Sequence, residues 1–384
     1  MKRLTRRQFL KKSSAAAAGM VLLTAGCATN ADITPTPTSE PPQNTPVQDT
    51  ATVGISPSPT PEPSSTATLP PTETVAPTPT VAVLTRTDVT KHFPDAPSRL
   101  VRARHSGVWS NNKLVPGALA QMLDASITSL TGLNDATEAW KALFDPGEKI
   151  VIKVNTIWGS TGYTPVPLVK AVTDSLEAAG IPPEQITIFD RWGYEMINAG
   201  FVLNAEAPGV RTKATEKMYT GGFDILGTPV KLSDILLNCD ALINMPLVKQ
   251  HGMAGVSFAM KNHYGTFDSP SLFHSAEKIV QAIPELNALP PIKDRTRLII
   301  GSALTVVLGD AWTSKKTGDS IFMSFDPVAH DAAGVQAWTD IINSKGGDPS
   351  FYAGRANDIL TNAVGLGLGT NDSSQIDLQE VNLS

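Results

Sequence analysis

Between residues 148 and 347, short apolar runs rich in β-branched residues alternate with stretches whose apolar residues recur at helical spacing. That alternation constrains the fold more than any other feature, because strands alternating with helices pack as layers around a largely parallel sheet. EKIVIKVN (148–155), QITIFD (185–190) and CDALINMP (239–246) are expected strands. RLIIGSALTVVLGD (297–310) is long enough for a fourth and a fifth, and SIFMSFD (320–326) is another. PVPLVKAVTDSLEAAG (165–180) predicts a helix with prolines at its start and Gly180 as its stop. KLSDILLN (231–238) predicts a short helix, and PVAHDAAGVQAWTDIINSKGG (327–347) a long one opened by Pro327. The expected class is α/β, a mostly parallel sheet flanked by helices.

Ligands of open α/β sheets bind beyond the carboxyl ends of the strands. Polar residues stand at those ends here: Lys153 and Asn155 after the first strand, Asp190 and Arg191 after the second, Asn244, Lys249 and His251 after the third. Lys261, Asn262 and His263 follow, in a segment that reads as a helix end closed by Gly265. Asp310 and Asp326 close later runs. Three lysines facing one cleft favour a carboxylate or phosphate; the alternative is three separate surface lysines. His251, in what reads as a glycine-flanked loop, suits acid–base work because its ordinary pKa lies near neutrality. It also suits metal ligation, or a plain bond to a loop carbonyl. Asp326 precedes Pro327 as an N-cap would, and Asp331 stands one helical turn further on. Asp326, Asp331 and His251 are the candidate ligands for a divalent cation, and no HExxH or paired-cysteine spacing strengthens that set. His274 and His330 are further titratable candidates, and Trp158, Trp192 and Tyr163 follow strand ends. No GxSxG elbow, Walker loop or GxGxxG turn is present, which counts against a serine hydrolase, an ATPase and a classical dinucleotide enzyme.

The first 92 residues are a different material. MKRLTRRQFLKK precedes an apolar run, Ala15 to Leu23, that ends at Thr24-Ala25-Gly26-Cys27. Charged start, short apolar run and small-residue end make a secretory signal too short for an ordinary spanning helix. Arg6 and Arg7 with Phe9, Leu10 and Lys11 resemble a twin-arginine signal, and Cys27 resembles the lipid-modified cysteine of a bacterial lipoprotein. The expected partners are the twin-arginine export machinery, a membrane reached through lipid on Cys27, and a small anionic ligand. Residues 28–92 are rich in Pro, Thr and Ser, a composition that cannot bury enough apolar surface to order itself. The division expected is a signal over 1–27, a tether over 28–92 and an α/β domain over 93–384. A net charge of −5 with no basic, aromatic-interleaved stripe points away from nucleic acid. Cys27 and Cys239 are the chain's two cysteines, too few to ligate an iron–sulfur cluster.

IVIKVN, ITIFD, ALINMPLVKQH, FAMKNHYG and SFDPVAHDAAG, in that order over about 150 to 335, resemble the family called domain of unknown function 362. The resemblance implies the fold and the site. Members often carry ferredoxin-like iron–sulfur modules, whose cysteines this chain lacks. It also implies an aspartate after the late central strand, where Gly301-Ser302 stand here, with Asp310 as the nearest substitute.

The expectation is a membrane-tethered extracytoplasmic enzyme acting on a small anion. Lys249, His251 and Asp331 would be catalytic, and Lys153, Asn155, Asn244, Lys261 and Asn262 would bind substrate. The cofactor is unassigned. A ligand-binding lipoprotein and a non-catalytic scaffold are the alternatives.

Overall fold

The structure is a computed structural model that describes residues 86–91, 94–157, 162–309 and 314–384. The signal-like segment with Cys27, the Pro/Thr/Ser-rich stretch up to residue 85, Trp158 and Asp310 lie outside the described residues. The strands are β1 (Ser98–His105), β2 (Trp109–Ser110), β3 (Lys113–Leu114), β4 (Ile150–Val154), β5 (Ile186–Asp190), β6 (Arg211–Ala214) and β7 (Tyr219–Ile225). They continue as β8 (Thr228–Ser233), β9 (Ala241–Met245), β10 (Leu247–His251), β11 (Gly255–Ser257), β12 (Thr296–Leu308), β13 (Ser314–Ser324) and β14 (Ile376–Leu383). The main sheet runs β14-β1-β13-β12-β9-β4-β5-β6, with β10 also beside β12 and β11 beside β10.

From β12 through β9, β4 and β5 to β6, each neighbour is parallel. β13 is antiparallel to both β12 and β1, and β14 is parallel to β1. The mostly parallel α/β sheet expected from the alternation is what forms. IVIKV and ALINM are buried along their whole length, as central parallel strands covered on both faces are. On one face Ile150, Ile152, Val154 and Ile243 pack against helices Pro116–Thr131, Ala136–Leu143 and Val166–Ala178. On the other, Val151, Phe189 and Leu242 pack against Ala276–Ala288 and Ser350–Gly365. Phe258, Phe322 and Trp338 form a third cluster, the last of them from helix Pro327–Ser344.

Three segments depart from expectation. Residues 231–238 are the end of β8 followed by the short helix Asp234–Leu237. Leu232 and Ser233 are buried in the β7–β8 hairpin, so a two-residue alternation governs where a helical period was read. The apolar run that opens at 297 forms one long strand, β12, as far as Leu308. His251 lies in strand β10, not in a loop. The cause is Pro246, which has no N–H to offer a ladder. β9 pairs with β12 as far as Asn244↔Ile299; Pro246 then interrupts, its carbonyl accepting Ser302 N–H at 2.9 Å, and β10 resumes at Leu247↔Ser302. One long strand thus carries two short ones end to end, with Asn244 and Lys249 on either side of the break.

Gly301, where the family resemblance implies a nearby aspartate, has no room for a side chain. A Cβ there would sit 2.3 Å from Phe258 and 2.4 Å from His330, whose rings stack at 4.2 Å. Gly301→Ala is therefore expected to cost about 1–3 kcal/mol, the usual cost of overpacking. Equilibrium unfolding in denaturant measures this, and wild-type stability would show that the stacked pair yields.

Candidate functional site

The carboxyl ends of β4, β5 and β9 meet a buried polar layer. Lys153 points from fully buried β4 to the face that carries Val151, and is 0% exposed. Its ammonium donates to Asp190 Oδ1 at 2.7 Å, to the Val154 carbonyl at 2.6 Å and to Asn262 Oδ1 at 3.4 Å, so all three protons are committed. Asp190 also accepts from Thr156 N–H and Thr156 Oγ1, both at 2.7 Å, and from Arg191 N–H at 2.8 Å. Asn262 accepts from Asn155 Nδ2 at 3.1 Å and donates to Asn244 Oδ1 at 2.7 Å. Asn244 Nδ2 donates in turn to the Ala259 carbonyl and to His263 Nε2. Lys153, Asn155, Asn244 and Asn262, four of the residues expected to bind substrate, thus come together as one network. Asn155 Oδ1 and His263 Nδ1 are buried with no hydrogen-bond partner among the described residues.

A second group lies beyond Pro246. Lys249, on β10, is buried and donates to the Ile157 carbonyl at 3.1 Å. Burial lowers its pKa to about 8, against the raising effect of Glu195 and Asp190. Lys261 sits on the short helix Ala259–Asn262 with its ammonium 4.4 Å from the centre of the Tyr264 ring. Burial, then the charge of Lys249, lower its pKa to about 7. His251 Nδ1 accepts the N–H groups of Met253 and Ala254, so its proton is on Nε2, which lies 3.1 Å from His274 Nε2 and donates to it. Burial first, then Lys261, His274 and Lys249, hold the His251 pKa down to about 2. His274 is exposed, so the imidazole pair runs from the interior to solvent.

The two aspartates stand elsewhere. Asp326 caps helix Pro327–Ser344 through Val328 and Ala329 N–H, and its other oxygen accepts from Ser98 Oγ and Thr370 N–H. Asp331 accepts Ala259 N–H at 2.7 Å and Met260 N–H at 2.9 Å, and lies 3.1 Å from His330 Nδ1. It therefore holds the first turn of the helix that bears Lys261 and Asn262. Among the described residues no three His, Cys, Asp or Glu side chains converge to hold a metal ion, and Asp326, Asp331 and His251 do not meet. Glu195 and Tyr264 belong to the site and were missed. Glu195 follows β5 at the strand end where Asp190 stands, and that position was its one signal. Tyr264 lies inside the KNHYG segment, with nothing in the sequence to set it apart from a packing aromatic.

Buried neutral histidines make stability depend on pH. His251 is lowered to about 2 and His263 to about 3, the latter by burial and then Lys153. Below the ordinary value near 6.5 the unfolded chain binds protons that the folded one refuses, so stability falls with falling pH. The expected contribution is about 1.4 kcal/mol per pH unit for each histidine from pH 6 toward pH 3. Unfolding free energies over that range should show a shallower slope in His251→Gln, and an unchanged slope would place His251 in contact with water.

No curated protein matches the chain. Among solved structures, a protein from Thermotoga maritima is similar at 12% identity and a TM-score of 0.38, over 60% of each chain. The lactate racemase apoprotein from Thermoanaerobacterium thermosaccharolyticum is similar at 10% identity and a TM-score of 0.34, over 62% of this chain and 55% of that one. The chain thus spans about three fifths of the first and just over half of the second. Residues 150–336, the stretch that builds both the buried network and the lysine cluster, match the model of the family described as Domain of unknown function (DUF362), and over that stretch the chain is similar to this family.

Proposed function

We propose that the chain is an enzyme acting on a small anion, a carboxylate or a phosphate, held by Lys249 and Lys261 at the carboxyl ends of the central strands. The observation that carries this is the buried Lys249 and the half-buried Lys261, whose charges act against each other, with no ion pair to Lys261 among the described residues. Such a site carries an electrostatic cost that an anion removes. Lys153, tied to Asp190, supports the site from beneath through Asn262, and Asp331 positions the helix that presents Lys261. The His251–His274 pair gives a path for a proton between this interior and solvent.

An anion that binds two lysines of lowered pKa raises both, so binding takes up protons. Malonate, fully ionised at pH 8, is the probe. Calorimetry in two buffers of different ionisation enthalpy should show proton uptake, and Lys249→Met should weaken binding about ten- to a hundred-fold, as loss of a charged hydrogen bond does. Binding without proton uptake, or binding unaffected in Lys249→Met and Lys261→Met, rejects the site. His251→Gln should leave affinity within a few-fold while hydrogen exchange next to the carboxylate of small acids in heavy water, followed by NMR, is lost. Unchanged exchange would favour a ligand-binding lipoprotein over an enzyme.

The same proposal places the domain outside the cytoplasmic membrane, exported through the twin-arginine route and tethered by lipid on Cys27. The support is the run Arg6-Arg7-Gln8-Phe9-Leu10-Lys11 and the small residues before Cys27. Cys27→Ala is expected to move the protein from the membrane fraction to the soluble one, and a variant that stays with the membrane would remove the lipid anchor.

A further inference from the structure

We propose that the face of the sheet formed by β1 and β13 carries a second ligand site, in which Arg102 and Arg104 hold the phosphate group of a small phosphorylated molecule. It is separate from the lysine site. A cavity of about 490 Å³ opens there, and neither Lys249 nor Lys261 lines it. Arg102 and Arg104 stand two residues apart on β1, so both side chains leave the same face of the sheet. Arg102 is opposite Phe322 and Arg104 opposite Ser320, which is in turn opposite Ala303 of β12. Residues directly opposite one another share a face, and the Arg102 guanidinium lies 5.2 Å from the centre of the Phe322 ring. A bulge shapes the floor. Between the pairs Ala303↔Ser320 and Thr305↔Thr317, Gly318 and Asp319 of β13 oppose the single Leu304 of β12. Gly318 is needed at that point, because a Cβ there would strike the Ala303 carbonyl. The extra residue breaks the alternation of the strand, so Asp319 lines the cavity together with its neighbour Ser320. Helix Pro327–Ser344 supplies the facing wall through Asp340 and Ser344.

Both guanidiniums lack acceptors. Arg102 comes no nearer to Glu380 of β14 than 3.7 Å, too long for a hydrogen bond. Arg104 makes no hydrogen bond or ion pair among the described residues, and the Nε of each arginine is buried with no partner. Buried donors in folded proteins are nearly always paired, and an unpaired one calls for a ligand, an ion or water. Here two such donors sit on neighbouring cations; burial, then the charge of Arg104, lower the Arg102 pKa. The acids of the cavity do not close on them. Asp319 accepts from Ser320 Oγ and Asp340 from Gln336 Nε2; both carboxylates are exposed, and neither forms an ion pair with an arginine. The floor therefore lacks an acceptor able to serve two guanidiniums at once. A carboxylate has two oxygens and one charge, which a single guanidinium fork satisfies. A phosphate monoester has three terminal oxygens and close to two charges, enough to divide between both arginines. Asp319 and Asp340 stand at the exposed rim, toward the remainder of such a ligand.

The test is calorimetric titration of the folded full chain at pH 7.5 with inorganic phosphate and with glycerol phosphate. Wild type, Arg104→Gln, Arg104→Lys and Lys249→Met are compared, with circular dichroism to show that each is folded. The expected result is a saturable component for both phosphates, weakened about ten- to a hundred-fold in Arg104→Gln, as loss of a charged hydrogen bond does. Arg104→Lys keeps the charge and loses the fork, so it should recover only part of that affinity. Lys249→Met should keep the component within a few-fold. A component lost in Lys249→Met and kept in both Arg104 variants assigns phosphate to the lysines, which overturns this site and leaves the other standing. Phosphate that fails to saturate, or that binds Arg104→Gln and Arg104→Lys as it binds wild type, overturns it as well.

Discussion

The Lys153–Asp190 pair is the interaction on which the rest of the site depends. Two charges are taken from water into the centre of a parallel sheet, and an isolated pair would rarely recover that desolvation. Here each charge is saturated: the ammonium by three acceptors, the carboxylate by four donors from Lys153, Thr156 and Arg191. Gly265 closes over them, and a Cβ there would stand 2.8 Å from both Asp190 Oδ1 and Lys153 Nζ. The glycine is needed for that close approach, so the pair sets the course of the chain from Asn262 to Gly265 as well as the ends of β4 and β5. Removing one partner of such a pair costs about 3–5 kcal/mol, because the other is left buried and uncompensated. The pair holds a place more than it adds stability.

The same physics separates the lysines. Lys153 is the most deeply buried, yet it meets a carboxylate at hydrogen-bond distance. Burial lowers the pKa of Lys249 and of Lys261, in Lys249 against the raising effect of Glu195 and Asp190. Position relative to Pro246 produces the difference. Before the proline, β9 lies beside β4 and shares its carboxylate-lined floor; after it, β10 lies beside β12, next to Gly255–Ser257 and the short helix of Lys261. The break in the ladder moves Lys249 away from the floor that holds Lys153 and toward the strand that leads to the helix of Lys261.

Much of this was legible in the sequence, for identifiable reasons. β4, β5 and β9 are continuous apolar runs with helices between them, and helix Pro327–Ser344 begins at an aspartate and a proline. Each is a local signal. β10 was hidden because VKQH carries no apolar pattern; its burial comes from β12 and from the chain folding over it. The antiparallel pairing of β13 with both β12 and β1, and the pairing of β1 with β14, leave no periodic trace in the sequence. At the site, Asn262 joins from the end of the helix Ala259–Asn262, while the grouping of Lys153, Asn155 and Asn244 follows from strand ends. The pairing of Lys153 with Asp190 does not, because a strand buried on both faces gives no sign of which way a lysine points.

The aspartates show how a recurring motif can serve a site without entering it. Asp331 comes from SFDPVAHDAAG and Ala259 and Met260 from FAMKNHYG, segments about seventy residues apart that its carboxylate ties together. Its neighbour His330 lies against Phe258, the residue before that helix, and Gly301 keeps the space for both rings. Two of the segments that carry the family resemblance therefore meet, with Gly301 of β12, at one joint behind Lys261. An aspartate at Gly301 would occupy the ring space of that joint. The carboxylates of Asp326 and Asp331 go to holding backbone, and the side chains presented from there are Lys261, on the helix whose first N–H groups Asp331 accepts, and Lys249, on the nearby strand β10.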